Sequence, residues 1–113
     1  MPIFITQGRF TSQAIKGMLQ NPEDRTEQVR GLVEGFGGRL ISWYMTFGDY
    51  DFLVITEGDD PKAMLSALAV VAAGGASTDL KTTMAMTGAE MKEAFAAAAK
   101  AGSQFRPAGQ AGS

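Results

Sequence analysis

Cysteine and histidine are both absent from the 113-residue sequence. Their absence excludes zinc sites built from thiolate or imidazole ligands, cysteine nucleophiles, and a histidine general base. A calcium or magnesium site built from oxygen ligands would need a carboxylate-rich loop at ligand spacing, and no such pattern occurs. We therefore expect neither a metal nor a cofactor. The lack of cysteine is typical of a cytoplasmic protein.

Long apolar runs and basic clusters are also missing. The longest apolar run, residues 67–73, is far shorter than the about 20 residues that cross a bilayer, and no signal-peptide pattern precedes the first strand. Ten Lys and Arg residues stand against twelve Asp and Glu residues, and the basic residues are scattered. A protein that binds a phosphate backbone needs a basic stripe, so we expect neither nucleic acid nor membrane as a partner.

The apolar spacing predicts the element order βαββαβ followed by a C-terminal helix. A first strand from Ile3 to Phe10 and a short helical turn precede a helix that we expect to begin at Asn21-Pro22 and to end at Gly37-Gly38. Residues 39–47 and 52–56 then form a hairpin around residues 48–51.

A second helix is expected to begin at Asp60-Pro61, and a fourth strand covers residues 78–86. Thr87 and Glu90 match a capping box that starts the C-terminal helix. This order predicts an α+β ferredoxin-like fold with a four-stranded antiparallel sheet. We expect one domain over residues 1–101. Residues 102–113 are rich in Gly, Ala, Ser and Gln, and are predicted to form a disordered tail.

Both faces of the predicted sheet carry large apolar side chains, although two helices can cover only one face. On the second strand, Trp43 and Met45 share a face with Ile41, whereas Leu40 and Tyr44 lie on the opposite face. An uncovered apolar face would be unusual for a monomer. We therefore expect a homodimer or higher homo-oligomer whose facing sheets form a dimeric α+β barrel. The alternative is that the C-terminal helix folds back over the open face.

The hairpin loop holds the densest polar cluster of the sequence. Its residues Gly48, Asp49, Tyr50 and Asp51 have a structural interpretation, because glycine permits a positive φ and aspartate bonds nearby backbone amides. The functional interpretation makes Asp51 an acid-base group or ligand anchor, oriented by Tyr50. These two residues are the only catalytic candidates, and the structural interpretation is preferred.

Four further residues are candidate ligand contacts. Trp43 and Tyr44 point to opposite faces, so one of them can line an interior between two sheets. Trp43 is preferred, although its face could equally lie under the helices. Arg9 and Lys81 fall near strand ends, where they could meet an anionic ligand at the mouth of a barrel.

At several positions the sequence resembles the GYD domain family. The resemblance rests on Gly48-Asp49-Tyr50-Asp51, on the helix start at Asp59-Asp60-Pro61, on residues 10–16, and on residues 80–84 with their paired threonines. It covers about residues 2–97. It implies a ferredoxin-like fold related to dimeric α+β barrels and brings no established activity with it. The broader barrel group includes cofactor-free monooxygenases and polyketide cyclases, but the cyclases rely on a histidine that this chain lacks.

Three functions remain open at the level of sequence. The preferred one is a homo-oligomeric α+β barrel that binds a small, partly apolar molecule. The second is a cofactor-independent, monooxygenase- or cyclase-like enzyme acting on an aromatic or polyketide-like substrate. The third is a purely structural or interaction module. An open pocket lined by Trp43 with no carboxylate would favour passive binding, and a pocket reached by Asp51 or Tyr50 would favour catalysis. A closed interior would favour the interaction module.

Overall fold

The computed structural model describes residues 1–102 and 104–109. Four strands form one antiparallel sheet in the order β2-β3-β1-β4. The elements are β1 (Ile3–Phe10), α1 (Ser12–Gln20), α2 (Thr26–Gly35), β2 (Arg39–Met45), β3 (Phe52–Glu57), α3 (Pro61–Ala73), β4 (Ser77–Ala85) and α4 (Gly88–Gly102). This topology confirms the ferredoxin-like arrangement with an additional C-terminal helix. Ser103 and residues 110–113 of the predicted tail lie outside the described residues.

Local capping chemistry sets the starts of α3 and α4 as predicted. The Asp60 side chain accepts a hydrogen bond of 2.9 Å from the backbone N–H of Lys62. Thr87 and Glu90 cap each other reciprocally, with both bonds at 3.1 Å. The backbone N–H and then the hydroxyl of Thr87 hold the pKa of Glu90 below its usual value. These contacts satisfy backbone donors that a helix start leaves without partners.

The predicted start of α2 at Asn21 is wrong. Asn21 instead ends α1, because its backbone N–H donates to the carbonyl of Gly17 at 3.0 Å. Residues 21–25 then form a linker, and α2 begins at Thr26. Its backbone N–H donates to Asp24 Oδ1 at 2.9 Å. Arg25 is the N-cap residue and makes no side-chain capping bond, and Asp24 lies one residue before it.

The strand register decides which side chains share a face. On the helix-covered face, the rows across the sheet are Met45–Phe52–Gly8, Trp43–Val54–Thr6–Thr82 and Leu40–Thr56–Phe4–Met84. On the open face, they are Tyr44–Leu53–Gln7–Lys81 and Ser42–Ile55–Ile5–Thr83. A bulge at Ile41 moves Leu40 to the face of Trp43, so the prediction that Leu40 accompanies Tyr44 is wrong.

The C-terminal helix α4 does not cover the open face. Every residue from Met86 to Gly102 is exposed, including Met91 and Phe95 of its apolar stripe. The alternative in which α4 folds back across the sheet is therefore wrong. The open face of the single chain has no cover within the described residues.

Candidate functional site

An apolar cavity of about 950 Å³ lies between the helices and the sheet. Its floor is the helix-covered face of the sheet, and its roof comes from α1, α2 and α3. The floor includes Phe4, Trp43, Phe52 and Val54, and the roof includes Leu32, Val33, Met64 and Leu68. Small-molecule sites commonly enclose about 300–1,000 Å³, so one protomer contains enough space for a ligand.

Trp43 lies in the floor and also ties the sheet to α2. Its Nε1–H donates to Thr26 Oγ1 at 2.9 Å, and the Thr26 hydroxyl donates to Asp24 Oδ1 at 2.5 Å. The hydroxyl of Thr26 and then its backbone N–H hold the pKa of Asp24 below its ordinary value. Because the indole N–H is already bonded, the ring offers the cavity an apolar surface.

The preferred placement of Trp43 in an interior between two sheets is wrong, because its face lies under the helices. The other possibility stated from the sequence is the one observed. Its contact with a ligand stays a prediction, now directed at the cavity between helices and sheet.

One polar side chain of the floor faces the cavity without a partner. Thr56 is 5% exposed, and no described residue is hydrogen-bonded to its hydroxyl. Thr6, in the next row, is bonded to Thr82 through their hydroxyl oxygens at 3.0 Å. No fully enclosed polar side-chain atom of the described residues lacks a partner, so the Thr56 hydroxyl is reached from the cavity.

The rim of the cavity is acidic. Its charged residues are Glu23, Asp24 and Arg25 from the linker before α2, Glu57 at the end of β3, and Asp59 and Asp60 from the turn between β3 and α3. Glu23 is paired with Arg25 at 3.0 Å, and Glu57 is paired with Arg39 at 2.6 Å. Asp59 and Asp60 take part in no ion pair with the described residues.

The hairpin loop performs a structural task outside the cavity. The Asp51 carboxylate accepts the backbone N–H of Phe10 at 2.9 Å, and the Asp51 N–H donates to the carbonyl of Gly8 at 2.8 Å. Thr46 closes the loop by donating its hydroxyl to the carbonyl of Tyr50 at 2.7 Å. Asp51 thus continues the pairing of β1 with β3 past the last ladder residues. Neither Asp51 nor Tyr50 lines the cavity.

The predicted ligand residues are divided between two faces. Tyr44 and Lys81 belong to one row of the open face, separated by two intervening strands, or about 14 Å. Arg9 lies near that row, with its guanidinium carbon 5.8 Å from the centroid of the Tyr50 ring. The structure brings Arg9 and Tyr50 together and places both away from Trp43. A ligand role for these open-face residues stays a prediction.

Sequence reasoning missed Thr56 and Thr26. The alternation Phe52, Val54, Thr56 was a usable signal for Thr56, because it places a polar residue in phase with two apolar ones on the buried face. No pattern identified Thr26, since its bond to Trp43 joins residues 17 positions apart.

The described residues show neither a metal cluster nor a spanning helix. In residues 1–102 and 104–109, no three carboxylates gather closely enough to hold a metal ion. Within the same residues, no helix has the length and apolar character needed to cross a bilayer.

The β2-β3-β1-β4 sheet, with helices over one face and a cavity beneath them, defines an α+β protein of the ferredoxin-like class. Residues 4–95 match the model of the GYD domain, and the chain belongs to the GYD domain family. This membership confirms the resemblance noted in the hairpin loop.

Known proteins similar to this chain include one characterised as a binding protein. The "Glutamine synthetase and cystathionine beta-lyase binding protein" of Thermus thermophilus is 31% identical over 75 residues, which are 66% of this chain and 79% of that protein. Two solved structures are similar at 15% identity. A hypothetical protein from Pyrococcus horikoshii has a TM-score of 0.47 over 77% of this chain and 92% of its own. FFRP-DM1 has a TM-score of 0.48 over 76% of this chain and 100% of its own.

Proposed function

We propose that this chain is a non-catalytic module that binds a small, largely apolar molecule between its helices and its sheet. The observation that carries the proposal is the cavity of about 950 Å³, floored by Trp43 and reached by neither Asp51 nor Tyr50. Protein interiors are close-packed, and a gap of this size forgoes the dispersion contacts of its walls. A bound apolar molecule restores those contacts.

The chemistry around the cavity supports binding over catalysis. The Asp51 carboxylate is bonded to a backbone amide outside the cavity, and the Trp43 indole N–H is bonded to Thr26. An acid-base mechanism needs a carboxyl or phenol beside the reacting atoms, and the carboxylates that line this cavity lie at its rim rather than on its apolar floor. The two candidates for that role, Asp51 and Tyr50, are not in reach of this cavity. The cytoplasmic location expected from the composition stays a prediction.

A titration with decanol, a neutral apolar probe, tests the proposal. Trp43 is the single tryptophan of the chain, so its emission reports directly on the cavity. We expect saturable binding at one site per chain, and at least about tenfold weaker binding after Ala67→Phe, because Ala67 lines the roof and the ring would occupy the ligand volume.

Ala69→Phe is the matched control, because Ala69 lies on the same helix, is exposed and does not line the cavity. Its affinity for decanol should equal that of the unaltered protein. A Trp43 signal that never saturates, or equal affinities in the two alanine variants, would contradict the proposal.

A protein-binding module that uses the open sheet face is the second candidate. Ile3, Ile5, Leu53 and Ile55 form a half-buried apolar centre on that face, and Tyr44 beside them is exposed. The similar Thermus thermophilus protein is described as binding two other proteins. A second copy of the chain would cover such a centre, which supports the homodimer expected from the sequence.

Sedimentation of the protein at micromolar concentration tests this second candidate. We expect a dimer that dissociates on Ile55→Glu, because a carboxylate would be buried without a partner between two sheets. Leu65→Glu is the matched control, since Leu65 is an exposed apolar residue on α3. A monomer in isolation that forms a complex with glutamine synthetase, sensitive to the same substitution, would assign the face to a different protein.

A further inference from the structure

The carboxylates Asp59 and Asp60, which take part in no ion pair with the described residues, follow Thr56 in the chain at one end of the cavity floor. Thr56 and Glu57 are the last two residues of β3, Asp59 and Asp60 follow in the turn to α3, and all four line the same cavity. In the opposite direction along β3, the floor continues with Val54 and Phe52. The floor along β3 therefore has one polar end and one apolar end, while the paired charges of Glu23 and Arg25 come from the linker before α2.

The Thr56 hydroxyl indicates that a bound ligand carries a hydrogen-bonding group at the polar end of the floor. Thr56 is 5% exposed, its hydroxyl has no hydrogen-bond partner in the described residues, and that hydroxyl is reached from the cavity. A hydrogen-bonding group on a bound molecule would satisfy it. A purely apolar molecule would leave it without a partner.

The charges at this end favour a positively charged group on the ligand. Asp59 and Asp60 form no ion pair with the described residues, whereas Glu57 forms an ion pair with Arg39. Lys62 follows in the sequence, but it does not line the cavity. Arg25 is the basic residue among the lining residues described, and it is paired with Glu23 at the linker before α2. A carboxylate or phosphate at this end would be repelled, whereas an ammonium would be attracted.

The apolar end of the floor determines the length and chemistry of the rest of the ligand. From Thr56 to Phe52 the floor spans four residues of an extended strand, or about 13 Å. The β3 side chains that line this stretch, Val54 and Phe52, are aliphatic and aromatic. A medium-length alkyl or flat hydrocarbon body fits that length and chemistry.

We propose that the ligand of the cavity is an elongated apolar molecule with a cationic amine at one end, and that Thr56, Asp59 and Asp60 receive the amine. The proposal rests on the proposed binding function and specifies the chemical class of its ligand. The Thr56 hydroxyl accepts an N–H of the ammonium, and the two aspartates at the open rim neutralise its charge while it keeps part of its hydration. The tail lies against Val54, Trp43 and Phe52.

Three probes of equal chain length test this assignment: decylamine, decanol and decanoate, each titrated near neutral pH and about 0.15 M salt while Trp43 emission is followed. We expect decylamine to bind at least about tenfold more tightly than decanol, and decanoate to bind more weakly than decanol. The double variant Asp59→Asn/Asp60→Asn should lose the preference for the amine and keep the affinity for decanol. Asparagine remains a good N-cap at position 60, so α3 should be retained.

Asp49→Asn is the matched control, because it removes one exposed carboxylate outside the cavity. It should leave the preference for decylamine unchanged. Thr56→Val should weaken decylamine binding more than decanoate binding. Equal affinities for all three probes, tighter binding of decanoate, or a preference that persists in the double variant would overturn the amine assignment while leaving the proposed function intact. Failure of decanol and decylamine alike to bind would overturn both.

Discussion

Replacing Gly8 by alanine is expected to destabilise the fold by about 3 kcal/mol, measured as the loss in free energy of unfolding in urea. A Cβ atom at this position would lie 2.5 Å from Phe52 Cζ and 2.8 Å from Leu80 Cδ2. The Phe52 ring has little freedom to retreat, because it is buried and packs on Phe10 at 5.1 Å between ring centroids. The added methyl group must therefore displace the centre of the core.

Gly17→Ala is the control for the loss of glycine itself. Gly17 lies inside α1 with nothing within 4 Å of an added Cβ, so alanine should be neutral or should stabilise by up to about 1 kcal/mol. Combining Gly8→Ala with Phe52→Leu should recover part of the loss, because the shorter side chain vacates the position of Cζ. If Gly8→Ala unfolded at the urea concentration of the unaltered protein, the close approach of Phe52 would be disproved.

The second large effect is expected for Asp51→Ala, which should lower the free energy of unfolding by about 2 kcal/mol. The substitution removes the acceptor of the Phe10 backbone N–H and leaves that donor part-buried without a partner. Asp51→Asn keeps an acceptor oxygen and should cost less. Urea unfolding gives the energies, and hydrogen exchange at the Phe10 amide should accelerate in the alanine variant.

Asp49→Ala provides the comparison within the same loop, because Asp49 is exposed. It should change the stability little. The folded Asp51→Ala protein should bind decanol with unchanged affinity, since Asp51 does not line the cavity. A stable Asp51→Ala variant that has lost ligand binding would instead restore the interpretation of Asp51 as a functional group.

Local chemistry made much of the fold predictable from sequence. The hairpin, the helix starts at Asp60 and Thr87, and the strand order follow from caps, glycines and apolar spacing that act within a few residues. The family was predictable for the same reason, because its signature loop is one short continuous segment. The start of α2 was missed because Asn21-Pro22 matches a capping pattern, whereas α2 begins after Arg25 without a side-chain capping bond.

The candidate site was less predictable, because it depends on contacts between distant segments. Trp43 could be assigned to the helix-covered face only from its pairing with Val54 and its contact with α2, and the bulge at Ile41 reverses the face of Leu40. The cavity depends on the separation between helices and sheet, which no local pattern records. Thr56 was in phase with the buried face, but only the structure shows its hydroxyl without a partner.

The sequence by itself determined the elements, their ferredoxin-like order, the family, and the exclusion of cysteine and histidine chemistry. These follow from residue types and from interactions between near neighbours in the chain. Only the tertiary structure decided that Asp51 bonds the Phe10 amide, that Trp43 and Tyr44 belong to different surfaces, and that an acidic-rimmed cavity lies under the helices. These features depend on strand register and layer packing, which bring together residues far apart in the sequence.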